Sequence, residues 1–147
     1  MKNFDVLLSE LSASAENICS QAQRSKWDGE SWSPTIILGH LFDVDNEVWM
    51  YRFTLLRQAK EKGLEPPQLE WWEPDPEITV HRYGSESLQV SLERFHKSRK
   101  EMVEYLIDLS IDDREASAHH ATFGKITIES MLQIILDHDA EHLGSLI

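Results

Sequence analysis

Residues 138–142 read His-Asp-Ala-Glu-His, which sets two histidines one helical turn apart. Side chains at that spacing have β-carbons about 5–6 Å from one another, so both rings can converge on one ion. Metal–nitrogen bonds of about 2.0–2.1 Å then come within reach. At about 100° per residue, His138 and His142 fall on the side of their helix that carries Met131, Ile135 and Leu146. Glu129, Gln133 and Asp137 mark the opposite, solvated face. A third histidine, His40, lies beside the apolar stripe of Ile37, Val44 and Tyr51 on an earlier helix. Three neutral imidazoles facing one interior can hold a divalent cation and leave a position open for water or substrate, a construction typical of bundle cores. The plainer reading is that a pair at this spacing arises by chance in a chain with seven histidines, each inward ring being a hydrogen-bonded core residue. The third inward ring favours the metal.

The same five residues match the H-x-x-E-H pattern of one metalloprotease class. That chemistry requires Glu141 as general base and a further ligand well downstream. Only five residues follow His142, and Glu141 is expected to point away from the apolar stripe, so a protease is not expected.

Other polar residues sit where chemistry is conceivable. Arg99 interrupts an apolar stripe between Phe95 and Met102, and an inward arginine must be paired, snorkel to the end of the bundle, or grip a substrate carboxylate or phosphate. Asp139 and Glu47 are the acids expected to meet it. Asp139 could instead orient a ligating imidazole, and Asp43 or Glu47 could do so beside His40. His81, His96, His119 and His120 are expected in solvent, outside any helical stripe. Trp71 and Trp72 lie in a proline-rich connection, where they could line a pocket mouth, form an interface or pack the loop down.

Four amphipathic segments must position these groups. Phe4, Leu7, Leu8, Leu11, Ala15, Ile18, Cys19 and Ala22 form the stripe of the first, with Cys19 as a small core residue. Ser33 and Pro34 open the second, which carries Ile37, Leu41, Val44, Val48, Tyr51 and Leu55 and stops near Gly63. Residues 63–84, with four of the five prolines, are expected as one long connection. The third helix starts at Ser85 or Ser87 and presents Leu88, Leu92, Phe95, Met102, Val103 and Leu106. Ser110 caps a short turn, and Thr127 caps the last helix, with Ile128, Met131, Leu132 and Ile135 inward. No strand is expected. The fold class is therefore all-α, a four-helix bundle with a long loop between helices 2 and 3, in a single domain over 1–147.

The charge balance excludes several partners. The 147 residues hold 14 basic and 26 acidic side chains, a formal net charge of −12 that repels phosphate backbones and anionic membrane surfaces. No apolar run approaches the roughly 18–20 residues of a membrane helix. One cysteine and an N-terminus without a signal-peptide core make the cytoplasm the expected compartment.

Taken in order, Trp32-Ser33-Pro34, His40-Leu41 with Asp43, Phe123-Gly124, His138-Asp139 and His142-Leu143 resemble the DinB/YfiT-like superfamily, over nearly the whole chain. The resemblance implies a four-helix bundle, often a homodimer, with a divalent metal on three histidines. It carries the ligand role onto His40, His138 and His142. One departure is that the last helix runs out at Ile147 without a polar tail. Family chemistry is diverse, from transferases and isomerases that use a low-molecular-weight thiol to hydrolases. Two functions are therefore expected to compete: an enzyme that activates a thiol or water for attack on a small electrophile, and a non-catalytic metal-binding or interaction module stiffened by its ion. Three imidazoles suit zinc or nickel, with iron, copper or manganese as further candidates.

Overall fold

The structure, a computed structural model, describes residues 2–146. Helix α1 (Phe4–Arg24) begins where the Asn3 side chain accepts a hydrogen bond from the Val6 amide, and its buried stripe is Phe4, Leu7, Leu8, Leu11, Ala15, Ile18 and Ala22. Helix α2 (Pro34–Val44) has Ser33 as its cap and Pro34 in its first turn. It runs without a break through a π-helical segment (Asp45–Met50) into α3 (Tyr51–Glu61). Helix α4 (Pro76–Tyr83), α5 (Leu88–Ile107), the single turn α6 (Ile111–Arg114) and α7 (Ile128–Ser145) follow. The α1, α2–α3, α5 and α7 rods form a four-helix bundle, with α1 packed on α5 and α7, and α2 packed on α5. None of the described helices is long and apolar enough to cross a membrane.

Three expectations need correction. Tyr51, expected on the inner face, is 61% exposed, while Arg52, Phe53 and Leu56 are buried. A π turn holds more residues than an α turn, so everything beyond Met50 is rotated relative to an uninterrupted helix. The connection over 63–84 is not one loop, because it contains β1 (Gln68–Leu69) and α4, whose start Asp75 caps by accepting from the Glu77 amide. Strands are also present: β2 (Ser117–His120) and β3 (Gly124–Thr127) form an antiparallel hairpin, with β1 parallel to β2. Strands of two to four residues are too short to show a period of two, and β1 pairs with residues about fifty positions away. The expected helix end at Ile147 lies outside the described residues.

Two apolar clusters fill the bundle. One gathers Leu11, Phe53, Leu56, Met102, Leu106 and Ile135, and the other Ala15, Ile18, Leu38, Leu41, Phe95 and Leu146. Arg99, 1% exposed, sits where they meet, between Phe95 of one and Met102 of the other. It donates to both carboxylate oxygens of Asp45 and of Asp139, and to the Leu11 carbonyl. Helix α4 is fastened to α2 by the Thr35 hydroxyl donating to the Tyr83 carbonyl and by the Tyr83 hydroxyl donating to Asp43. Gly39 allows this approach, since a β-carbon there would overlap the Tyr83 ring.

Candidate metal centre

His40 extends from the middle of α2, and His138 and His142 from the last turns of α7. One ring nitrogen from each lies within 4.8 Å of those of the other two. The Nε2 atoms of His138 and His142 are 3.2 Å apart, and the His40 ring centroid is 4.7 Å from that of His142 and 5.4 Å from that of His138. Two nitrogens sharing one ion at a tetrahedral angle stand roughly 3.3 Å apart, so the α7 pair already has ligand spacing. All three rings are held neutral. Burial, and then His142 and His138, pull the His40 imidazole down to about 3. Burial, and then His138, pull His142 down to about 4 against Glu141 and Asp139. His138 is lowered by burial as well. Neutral imidazoles are the form that ligates a cation. His40 Nδ1 is buried without a hydrogen-bond partner among the described residues, which a hydrogen-bonded core histidine would not be. Neutral, convergent nitrogens, with one ring atom left unpartnered among the described residues, fit a divalent ion.

The rings open onto a cavity of about 370 Å³. Val44, Val48 and Ile134 supply its apolar wall, while the 63–84 segment and the β2–β3 hairpin cover it with Trp71, Trp72 and Phe123. Trp49, Arg52 and His120 also line the wall. His120 corrects the expectation of a solvated loop residue: it is 4% exposed, and its Nδ1 accepts from the amides of Thr122 and Phe123.

The DinB superfamily model matches residues 3–146. This chain belongs to the DinB superfamily. Among solved structures, that of YfiT from Bacillus subtilis, described as a probable metal-dependent hydrolase with an unusual four-helix bundle topology, matches with a TM-score of 0.75. Identity is 16%, over 99% of this chain and 86% of that one, so the likeness is one of fold. No curated protein matches the chain at a significant level.

Within this DinB-superfamily bundle the remaining polar residues take distinct places. Asp139 follows His138 directly, yet its carboxylate is taken up by Arg99 and the Ser14 hydroxyl and meets no imidazole. Arg99 is not on the cavity wall, so it is not placed to grip a substrate there. The second acid on Arg99 is Asp45, whereas Glu47, expected in that role, is half exposed and faces Arg82. Asp45 lies four residues beyond Leu41 and seven beyond Leu38, both buried, so the α-helical period before the π segment already turns it inward, whereas Glu47 falls off that face. Asp43 binds the Tyr83 hydroxyl and Arg82 and makes no contact with His40. His96 pairs with Glu16 at the surface, and His81 and His119 are exposed. Trp71 and Trp72 both reach the cavity. So does Glu141, exposed at its edge, which the sequence places off the apolar stripe. Trp49, Arg52 and His120 had no sequence signal as site residues.

Proposed function

We propose that this DinB-superfamily protein is a metal-dependent enzyme acting on a small electrophilic substrate, with His40, His138 and His142 as the ligands of a divalent ion. The observation that carries the proposal is the convergence of three neutral imidazoles on the wall of an aromatic-rimmed cavity. When bound, such an ion supplies Lewis acidity that brings water or a low-molecular-weight thiol toward its anionic form at neutral pH. Zinc and nickel suit the donor set best.

The protein's own residues do the rest. Glu141 lies next to His142, acts electrostatically on His138 and His142, and has no side-chain partner among the described residues. It is the carboxylate positioned to accept the proton that the nucleophile loses. Asp137, also on the wall, already accepts from Gln133, and Glu73 from the Trp71 indole. Trp72 and Phe123 limit water entry and favour a substrate with an apolar body. Water as nucleophile, hence a hydrolase, is favoured by the likeness to YfiT.

Elemental analysis of purified wild type and the three histidine-to-alanine variants tests the site. A panel of activated esters and amides, run with and without added thiols and with and without chelator, tests the reaction. The reading predicts about one divalent ion per chain and chelator-sensitive turnover that drops when Glu141 becomes Gln. A wild type without metal, or three variants that all keep it, overturns the ligand assignment.

A further inference from the structure

Two arginines are buried in this bundle, Arg52 and Arg99. Arg99 is answered by two carboxylates. Arg52, 8% exposed, is answered by none among the described residues: its one protein acceptor is the Glu70 carbonyl, 2.8 Å from Nη2. Its guanidinium lies 5.7 Å from the Trp49 ring and lines the same cavity as the three histidines. A cation withdrawn from water without a counter-charge is costly unless a ligand supplies one.

Its neighbours offer further donors. Trp49 Nε1 is buried, has no hydrogen-bond partner among the described residues, and belongs to a residue on the cavity wall. His120 Nδ1 accepts two backbone amides, so in the neutral ring the proton is on Nε2. Burial and the nearby Arg52 keep that ring neutral. Three residues with spare donor capacity thus border one wall.

The wall is ordered along a single helix. His40, Val44, Val48 and Arg52 follow at steps of four residues and all face the cavity. The twelve steps from His40 to Arg52 correspond to roughly 15–18 Å of helix axis. The π segment keeps these four in line, because its wider turn offsets the drift of about 40° that each four-residue step makes in an α-helix. Glu73, Asp137 and Glu141 also border the cavity, but all three are exposed, where water screens them more than it screens Arg52.

From this we infer that the substrate is an amphipathic carboxylate, with its anionic head held by Arg52, Trp49 Nε1 and His120 Nε2, its apolar body along Val44 and Val48, and its reacting group at the histidines. The inference names a substrate class for the enzyme proposed above and rests on that reading for the reacting end. The head-group site is a property of the fold and is tested without metal.

Calorimetric titration of chelator-treated protein with 4-phenylbutyrate and with its uncharged amide makes the comparison. Removing the ion prevents the carboxylate from binding at the histidines. Wild type is expected to prefer the acid by at least about tenfold, the range of a charge-assisted hydrogen bond. Arg52→Gln is expected to bring that preference close to one and leave amide affinity within about twofold, since the apolar contacts persist. Trp49→Phe keeps the packing, removes one donor, and is expected to reduce the preference severalfold. If Arg52→Gln does not fold, the wild-type ratio and Trp49→Phe decide the matter. Equal binding of acid and amide to wild type, binding of neither probe, or an unchanged preference in the variants overturns the inference. Metal uptake is measured separately, so loss of the metal proposal and loss of the head-group site remain distinct results.

Discussion

Arg99 and Asp139 are joined by two hydrogen bonds of 2.7 and 3.0 Å, one residue along α7 from His138. With Asp45 on the other side, one buried cation is shared by two buried carboxylates. The knot locks α5 to α7 and to the π segment, and so holds the two helices that carry the histidines at a fixed separation.

Removing the cation leaves both acids buried and uncompensated. Arg99→Met is expected to destabilise the fold by about 3–5 kcal/mol in urea unfolding. A change below about 1 kcal/mol contradicts the view of this residue as the centre of the core's charge balance.

The metal-free protein is expected to lose stability as the pH falls below 6.5. His40 and His142 titrate at about 3 and about 4 when folded, against 6.5 for an ordinary histidine. Between those values the unfolded chain binds more protons than the folded one, so acid favours unfolding and the contribution is fully present only above 6.5. Asp45 works the other way: burial, against the pull of Arg99, raises its carboxyl to about 6, so the folded state binds the extra proton there. Two imidazoles outweigh one carboxyl, and the net loss from pH 7 to 5 is on the order of 2 kcal/mol. Urea midpoints in chelator across that range check it; a flat or rising profile contradicts it.

Adding a divalent ion should raise the melting temperature, because it binds only the folded arrangement. At a free concentration of about 100 times the Kd the gain is roughly 2.7 kcal/mol. His142→Ala should remove this response and keep the helical circular dichroism. A variant that still responds in full places the ion elsewhere.

Gly39→Ala tests the fastening of the cavity cover. The added methyl overlaps the Tyr83 ring, and overpacking of this kind costs about 1–3 kcal/mol. Because Tyr83 ends α4, limited proteolysis should accelerate between residues 63 and 84 before the bundle itself unfolds.

The π segment has its own signature in paired variants. Phe53→Ala should cost about 3–5 kcal/mol, while Tyr51→Ser should stay within about 0.5 kcal/mol. The reverse ranking is what an unbroken α-helix would produce.

Sequence alone determined the four amphipathic rods, the caps at Ser33 and Thr127, and the inward side of His40, His138 and His142, and it narrowed the start of α5 to Ser85 or Ser87, of which the structure uses Ser87. These are signals that repeat within a turn or two, and a helix's period and its end chemistry are set by neighbours along the chain. Tertiary structure alone decided the rest. Whether Phe53 or Tyr51 faces inward depends on one π segment whose preference is too weak to read from six residues. His120 became a wall residue only because a four-residue strand pairs with Gln68 and Leu69 across the chain. Such pairings are stabilised by burial that exists only once distant segments have met, so no local pattern announces them.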